Sequence, residues 1–408
     1  MKLNPIITSL LETDMYKLNM SNVIFKQFNN YTTTWTFKCR NEDVKFTEEM
    51  IQEIREQFDY YCSLRFTEDE LTWLKTNLPW LSEGYINYLK FWHPVREEVF
   101  INENNIIPYN DCGLAIEAKG TWLNTTMYEI VILAIVNEVY FSFKYDIKEK
   151  EEIFKTKTRK KLHKLINNEN ERFGAFSEFG LRRRLSKNTQ DWLIEKLAKL
   201  QKMTNIGFVG TSNIYLAKKY NVKAVGTMAH EFIMAQQAVP RHDKAHCNYY
   251  AMKAWTDEYK TLNGIVLGDT ITTDCFLKDF DLTYATLFSG VRHDSGDPIE
   301  WGEKILNHYN KLKINPKTKT LLFSDSLNFE KANAIYNYFK DKCNVAFGIG
   351  TYLSNDTDVK PLNIVMKITE CNGFPVAKIS DVNGKGMCRD NEYVEYLNRC
   401  IQWRMEHE

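Results

Sequence analysis

The chain has 408 residues, is 44% hydrophobic, and carries 53 basic against 53 acidic side chains. That length is long for one domain and comfortable for two with a large core. The balanced charge excludes a whole-protein field suited to nucleic acid or membrane, while a local anion site stays open.

The first residues, Met1-Lys2-Leu3-Asn4-Pro5, form no long apolar run and are soon followed by Glu12 and Asp14, so no signal peptide is expected. Up to about residue 112 the chain is aromatic and charged. Thr32 to Cys39 (TTTWTFKC) alternates and is rich in β-formers, which predicts a strand, while Glu48 to Tyr61 and Glu68 to Leu78 read as helices. The most apolar run, Ile130 to Val136, lies between Glu129 and Glu138; it is too short to span a bilayer and reads as a buried helix. Nine cysteines, an odd number without any CxxC pair, fit free thiols in a reducing cytoplasm.

From about residue 200 short apolar runs end in Gly, Asp or Ser, and most lead into helical stretches. They are Ile206–Val209, Val222–Val225, Gly264–Leu267, Tyr284–Phe288, Thr320–Phe323 and Asn344–Phe347. Strands alternating with helices imply parallel strands and right-handed crossovers. Polar residues after each strand suit an α/β barrel with its active site at the carboxyl-end rim. An open doubly wound sheet is the alternative, but no GxGxxG supports it. Asn363 to Thr369 and Val376 to Ile379 then suggest a hairpin around Asn372-Gly373, with Lys367 and Lys378 on it, returning to the first domain.

Several motifs carry chemistry. In Gly226-Thr227-Met228-Ala229-His230-Glu231, Thr227 is a candidate N-cap, which puts His230 at about the third position of a helix whose apolar stripe is Met228, Phe232, Ala235 and Val239. A helix start disfavours imidazolium and welcomes an anion, so a neutral, nucleophilic ring is expected there. On this segment alone, a histidine that caps or packs is the stronger reading.

The loop Ser289-Gly290-Val291-Arg292-His293-Asp294-Ser295-Gly296-Asp297-Pro298 is the most informative in the chain. Asp297 reads as an N-cap ahead of Pro298. Asp294 and Arg292 have no such duty. A carboxylate could steady an oxocarbenium-like ribosyl cation, and an arginine could bind an anionic leaving group. Gly348-Ile349-Gly350-Thr351 follows a strand and could let backbone N–H groups approach a phosphate, or be only a tight turn. Glu178-Phe179-Gly180-Leu181-Arg182-Arg183-Arg184 reads equally as a solvated basic helix end or a phosphate clamp with a stacking ring. His242 and His246 have helical spacing for a metal but no third ligand, and are assigned to the surface; Asp269, Asp274 and Asp325 are post-strand acids of no decided role.

Taken together, the sequence resembles the nicotinate phosphoribosyltransferase family over nearly its whole length. The resemblance rests on the motifs above together with Thr13-Asp14-Met15-Tyr16-Lys17, Phe37-Lys38-Cys39-Arg40, Gly210-Thr211-Ser212-Asn213 and Phe347-Gly348-Ile349-Gly350-Thr351-Tyr352-Leu353, in this order. It implies an irregular α/β barrel, about residues 116–364, and an α/β-sandwich domain, about residues 1–115, completed by about 365–408. It implies transfer of phosphoribosyl from phosphoribosyl pyrophosphate to nicotinate, with ATP hydrolysed alongside, Mg2+ required, and His230 transiently phosphorylated. Asp294 would hold the ribose hydroxyls beside Arg292. Phe179 would stack on one face of the pyridine and Tyr16 on the other. Tyr16 and Arg40 would come from a neighbouring subunit, implying a homodimer with shared sites. Arg182 and Arg292 would bind phosphate or the ring substituent, and Gly348 and Gly350, with Thr351 after them, the 5′-phosphate. No residue is assigned as a metal ligand.

Related nicotinamide phosphoribosyltransferases have Asp where Ser212 stands. A carboxylate there would repel that of nicotinate, whereas a serine can donate to it. A mismatched buried polar contact costs about 1 to 3 kcal/mol, enough to set the preference for acid over amide. Nicotinamide phosphoribosyltransferase is therefore the rival activity; quinolinate phosphoribosyltransferase shares the architecture without the histidine coupling. A catalytically dead barrel would lack Asp294, Arg292 or the Gly348/Gly350 pair.

Overall fold

Strand β1 (Thr32–Cys39) forms where the sequence predicts it, but it is buried along nearly its whole length rather than on one face. The cause is its place in the middle of an antiparallel sheet. The computed structural model describes all residues except 1–3, 104, 109, 169–171 and 381–385, so the extreme amino terminus read above lies outside the described residues. β1 is flanked by β3 (Ile116–Thr121), which also pairs with β2 (Val99–Ile101), and by β11 (Ile364–Cys371), followed by β12 (Phe374–Pro375). The β11–β12 turn is Asn372-Gly373, with φ of 50° and 76°. Two successive positive φ values match the twist of a tight hairpin, so the predicted return of the chain to the first sheet is present. Strand β3 belongs to this sheet, so a boundary near residue 115 falls one strand too early.

The second sheet is all-parallel. Its strands are β4 (Ala175–Glu178), β5 (Phe208–Thr211), β6 (Lys223–Ala224), β7 (Ile265–Leu267), β8 (Gly290–His293), β9 (Thr320–Phe323) and β10 (Asn344–Ile349), in the order β6-β5-β4-β10-β9-β8-β7. Followed round from β4, each strand neighbours its predecessor and β10 closes back on β4, which is the order of a barrel. One seam, between β6 and β7, is unpaired. The irregular barrel is therefore a curled half-barrel with an opening. Across that opening lies the returning chain: Gln237 exchanges hydrogen bonds with both Ala377 N and Ala377 O, and Ile271 bridges Ile379.

Two strand assignments change. Strand β4, not predicted as a strand, ends at Glu178 just before Phe179. Tyr284–Phe288 is not a strand: Leu282–Leu287 is a short helix, begun when the Asp281 carboxylate accepts from Tyr284 N. The strand starts at Gly290, so Arg292 stands on β8 itself and Asp294 immediately follows it. Asp297 caps the next helix, Pro298–Lys311, as its sequence predicts.

The helix Tyr128–Lys144 is buried from Tyr128 to Phe141. With the preceding turn it is long and apolar enough to cross a membrane, yet 89% of its apolar window lies inside the protein. Its Glu138, with Glu12, holds the guanidinium of Arg184, which is 1% exposed. Arg184 also donates to the Ile6 carbonyl. Of the three consecutive arginines, this one is neither a solvated helix end nor a clamp but a buried tie between amino-terminal segment and core. Arg184→Ala leaves two buried carboxylates without their cation, and is expected to lower unfolding free energy by about 3 to 5 kcal/mol, read from denaturant midpoints. A change below about 1 kcal/mol would show that the tie is dispensable.

Candidate active site

The unpaired seam positions the histidine. Between β6 and β7 the chain runs through Gly226–Ala229, and a short helix begins at His230 itself, with Ala229 rather than Thr227 at its cap position. The predicted Thr227 cap fails because its hydroxyl is used elsewhere: Arg292 Nη1 donates to Thr227 Oγ1 at 2.5 Å and to the Met228 carbonyl at 3.0 Å. The guanidinium of Arg292 is thus spent partly on bracing the histidine segment.

His230 is 4% exposed, and its Nε2 lies 2.9 Å from Asp269 Oδ1. Burial first, and then the Lys378 ammonium, push the imidazole down to about 4, although Asp269 opposes them. The short helix is not the main cause of neutrality. A neutral ring facing a carboxylate must present Nε2–H to it, which leaves the Nδ1 lone pair as the nucleophilic position. Burial pushes the Asp269 carboxyl up, but the Lys378 ammonium and the hydrogen bonds from His230 and Ser295 outweigh it and hold it well below its ordinary range. Its other oxygen accepts from Ser295 Oγ at 2.7 Å and from Lys378 Nζ at 3.1 Å. Asp294 Oδ2 stands 3.7 Å from the same His230 nitrogen. Burial pushes the Asp294 carboxyl up, but the Arg292 guanidinium outweighs it and holds the carboxyl below its ordinary range.

These groups open onto a cavity of about 350 Å³. His230, Asp294, Arg292, Tyr16, Arg40, Phe179, Arg182, Ser212, Gly348, Gly350 and Thr351 all line it. The structure therefore brings every predicted site residue to one place, at the carboxyl ends of β4, β5, β8 and β10. Tyr16 and Arg40 reach the cavity from their own chain. Tyr16 is fixed there because Met15 N donates to Ser212 O at 2.8 Å and Asp14 bridges Asn213. Both side chains thus line a cavity of the single chain.

Gly348 has a structural use beside the predicted one. A Cβ there would lie 2.3 Å from the Phe179 ring, so the glycine makes room for the aromatic wall. Ser212 is also more occupied than predicted: its hydroxyl donates to Asp14 Oδ1 at 2.6 Å. A carboxylate does stand at this position after all, supplied by the amino-terminal segment. His242 and His246, assigned to the surface, are half-buried; His242 stacks on Tyr250 at 3.5 Å and His246 reaches Glu408 at 3.4 Å.

Lys17, Glu129, Asp269, Lys367 and Lys378 were not singled out as site residues. Lys17 is fully buried, lies 2.7 Å from Glu129, pairs with Glu231, and faces the Trp35 ring at 4.7 Å. Glu129 also faces Arg182 at 3.8 Å and Lys367 at 4.0 Å. This chain of charges joins the Tyr16 helix to the residue after His230. Asp269 carried a signal, an acid directly after a strand; Glu129 and Lys17 carried none, because helical charges read as solvated faces.

Residues 174–403 match the model of the nicotinate phosphoribosyltransferase family, and residues 11–137 match that of its amino-terminal domain. The chain is 40% identical over 407 residues to the nicotinate phosphoribosyltransferase of Chromobacterium violaceum, covering 98% of each chain. It is 41% identical to that of Ralstonia pickettii, over 97% of this chain and 98% of the relative. The crystal structure of nicotinate phosphoribosyltransferase from Porphyromonas gingivalis superposes with a TM-score of 0.86 at 34% identity, covering 97% of this chain and 100% of that one. That from Vibrio cholerae gives 0.83 at 32%, covering 98% and 94%.

Two outcomes test this geometry. Gly348→Ala should displace Phe179 and weaken pyridine binding by about tenfold, consistent with ~1.4 kcal/mol of lost contact, measured as KM against kcat. An effect confined to kcat would contradict the wall assignment. By NMR, the His230 ring should titrate near pH 4, and Lys378→Met should move that midpoint upward by removing a cation. A downward shift would show that Lys378 does not act on the ring.

Proposed function

This chain belongs to the nicotinate phosphoribosyltransferase family, and from that premise we propose that it joins nicotinate to phosphoribosyl pyrophosphate and couples the transfer to ATP hydrolysis through phospho-His230. The products are nicotinate mononucleotide and pyrophosphate, with ADP and phosphate from the coupled step, making this the first step of NAD synthesis from nicotinate. The nine free cysteines suit a reducing cytoplasm as its place of work.

The observation that carries the ATP coupling is the neutral His230 held by Asp269 through Nε2, with Nδ1 free of that bond. Nδ1 attacks the γ-phosphorus of ATP and ADP departs; water later cleaves the N–P bond and releases phosphate. Phosphorylation places two negative charges beside Asp294 and Asp269. The coupling can work only through a difference in how the phosphorylated and free sites bind substrate and product. The charge change at this rim is such a difference, tightening phosphoribosyl pyrophosphate binding in one state and releasing products in the other.

In the transfer itself, Phe179 and Tyr16 hold the pyridine between them, and Asp294 lies where it can hold the ribose hydroxyls and steady positive charge at the anomeric carbon. Arg40, Arg182 and Arg292 supply cations for phosphate and pyrophosphate oxygens. Gly348 and Gly350, with Thr351 after them, would receive the 5′-phosphate at the cavity they line. Among the described residues His230, Asp269 and Asp294 could place ligand atoms within 4.8 Å of one another. That set suits Mg2+ poorly as a closed cage, since Mg2+ prefers oxygen ligands and Asp269 is already held by Ser295 and Lys378. Asp294 fits it better: its carboxylate would hold Mg2+, which would supply positive charge against that of the leaving group.

His230→Ala should abolish acid-labile phosphate incorporation and ATP stimulation while slow, ATP-independent synthesis persists. Full ATP coupling in that variant would refute the histidine step. Initial rates should favour nicotinate over nicotinamide; faster turnover of the amide would assign the rival activity.

A further inference from the structure

Ser212 and Asp14 are 2% and 4% exposed, and both line the cavity beside Phe179 and Tyr16. Their 2.6 Å contact uses the one hydrogen that the serine hydroxyl owns. A hydroxyl has one donor and two acceptor positions, and an ionised carboxylate has no donor at all. If nicotinate places its carboxylate against Ser212 while Asp14 is ionised, two anionic acceptors compete for a single hydrogen. One of them is then left buried beside a like charge, which costs more than a missing bond between neutral groups.

A proton on Asp14 removes the conflict. The Asp14 O–H then donates to Ser212 Oγ, and the serine turns its own hydrogen outward to the substrate. An amide substrate needs no such proton, because its NH2 donates to acceptors already present. We propose that nicotinate enters this site together with a proton that resides on Asp14, which makes Asp14, acting through Ser212, the residue that decides between acid and amide. The inference rests on the nicotinate reading above and adds to it the proton that accompanies the substrate.

The surroundings support the site of uptake. Burial pushes the Asp14 carboxyl up to about 6, against the Ser212 hydrogen bond, and Arg182 lowers it while Glu129 raises it and Lys17 lowers it. Arg182 faces it from the turn Leu181–Arg183, Glu129 from the helix Tyr128–Lys144, Lys17 from Asp14's own helix, and Glu178 from the end of β4. Glu178 is itself pushed up to about 7 by burial, despite donors from Thr211, Gly180 and Gln190. An arriving carboxylate adds a further negative charge and favours the protonated form. The sign follows. Above about pH 6 the free site has lost the proton that the complex retains, so nicotinate affinity falls as pH rises, approaching tenfold per pH unit. Nicotinamide affinity lacks this slope.

Titration calorimetry of nicotinate into the protein, with inorganic pyrophosphate present, tests this in two buffers of different ionisation enthalpy at about pH 7.5. The wild-type protein should take up about one proton on binding nicotinate and about none on binding nicotinamide. Asp14→Asn should bind nicotinate without uptake and with a flat pH profile, whereas Glu178→Gln should keep both. Where Asp14→Asn does not fold, Asp14→Ser replaces it, with the same expectation of nicotinate binding without proton uptake. Wild-type binding of nicotinate without proton uptake overturns the proposal alone, as does an Asp14→Asn variant with the wild-type slope. No nicotinate binding by the wild-type protein overturns the functional reading and the proposal with it.

Discussion

The hydrogen bond between His230 and Asp269 is the constraint around which the site is arranged. It ties a residue from the segment after β6 to one immediately after β7, across the one seam the parallel sheet leaves unpaired. Were β6 and β7 paired like the other neighbours, the segment carrying His230 would have no gap to enter. The seam is held by other means. Gln237 clasps Ala377, Lys378 pairs with Asp269, and Arg292 braces Thr227 and Met228. Each contact keeps the ring buried, and burial is what keeps it neutral and able to use Nδ1.

The second consequence is that the two sheets share one site. Lys367 stands on β11 of the antiparallel sheet and Lys378 on the chain beyond it, yet both line the cavity at the rim of the parallel sheet. The segment Asp14–Lys17 does the same from the amino terminus, bonded to the Ser212 loop and, through Lys17, to Glu129 and Glu231. Burial pushes the Lys367 ammonium down to about 8, with Glu129 opposing. Several partly compensated charges thus sit at the edge of changing state, so binding a polyanionic substrate shifts protons as well as contacts.

The sequence showed which strands alternate with helices, the hairpin at Asn372-Gly373 and the polar groups that end the strands, because these follow from local periodicity and turn chemistry. It misread Tyr284–Phe288, where the Asp281 cap overrides a run of β-compatible residues, and passed over β4, whose four residues give too short a pattern. The motif residues were legible as a set, and all of them meet at one cavity. Their partners were not. Nothing local marks Asp14 as the acceptor for Ser212, separated by 198 positions, or Lys17 as the cation between Glu129 and Glu231. Thr227 looked like a cap until the distant Arg292 claimed its hydroxyl. Nor does anything local mark the bond from Met15 N to the Ser212 carbonyl, which holds Tyr16 beside the Ser212 loop.

The central claim is that a buried, neutral His230 is the nucleophile that links ATP to glycosyl transfer. It is tested most directly by incubating the protein with γ-labelled ATP, with and without nicotinate, and mapping the acid-labile label. The account predicts label on His230 at Nδ1, discharged as phosphate when the transfer substrates turn over. Label on another residue, or on Nε2 where Asp269 holds the ring, would contradict it.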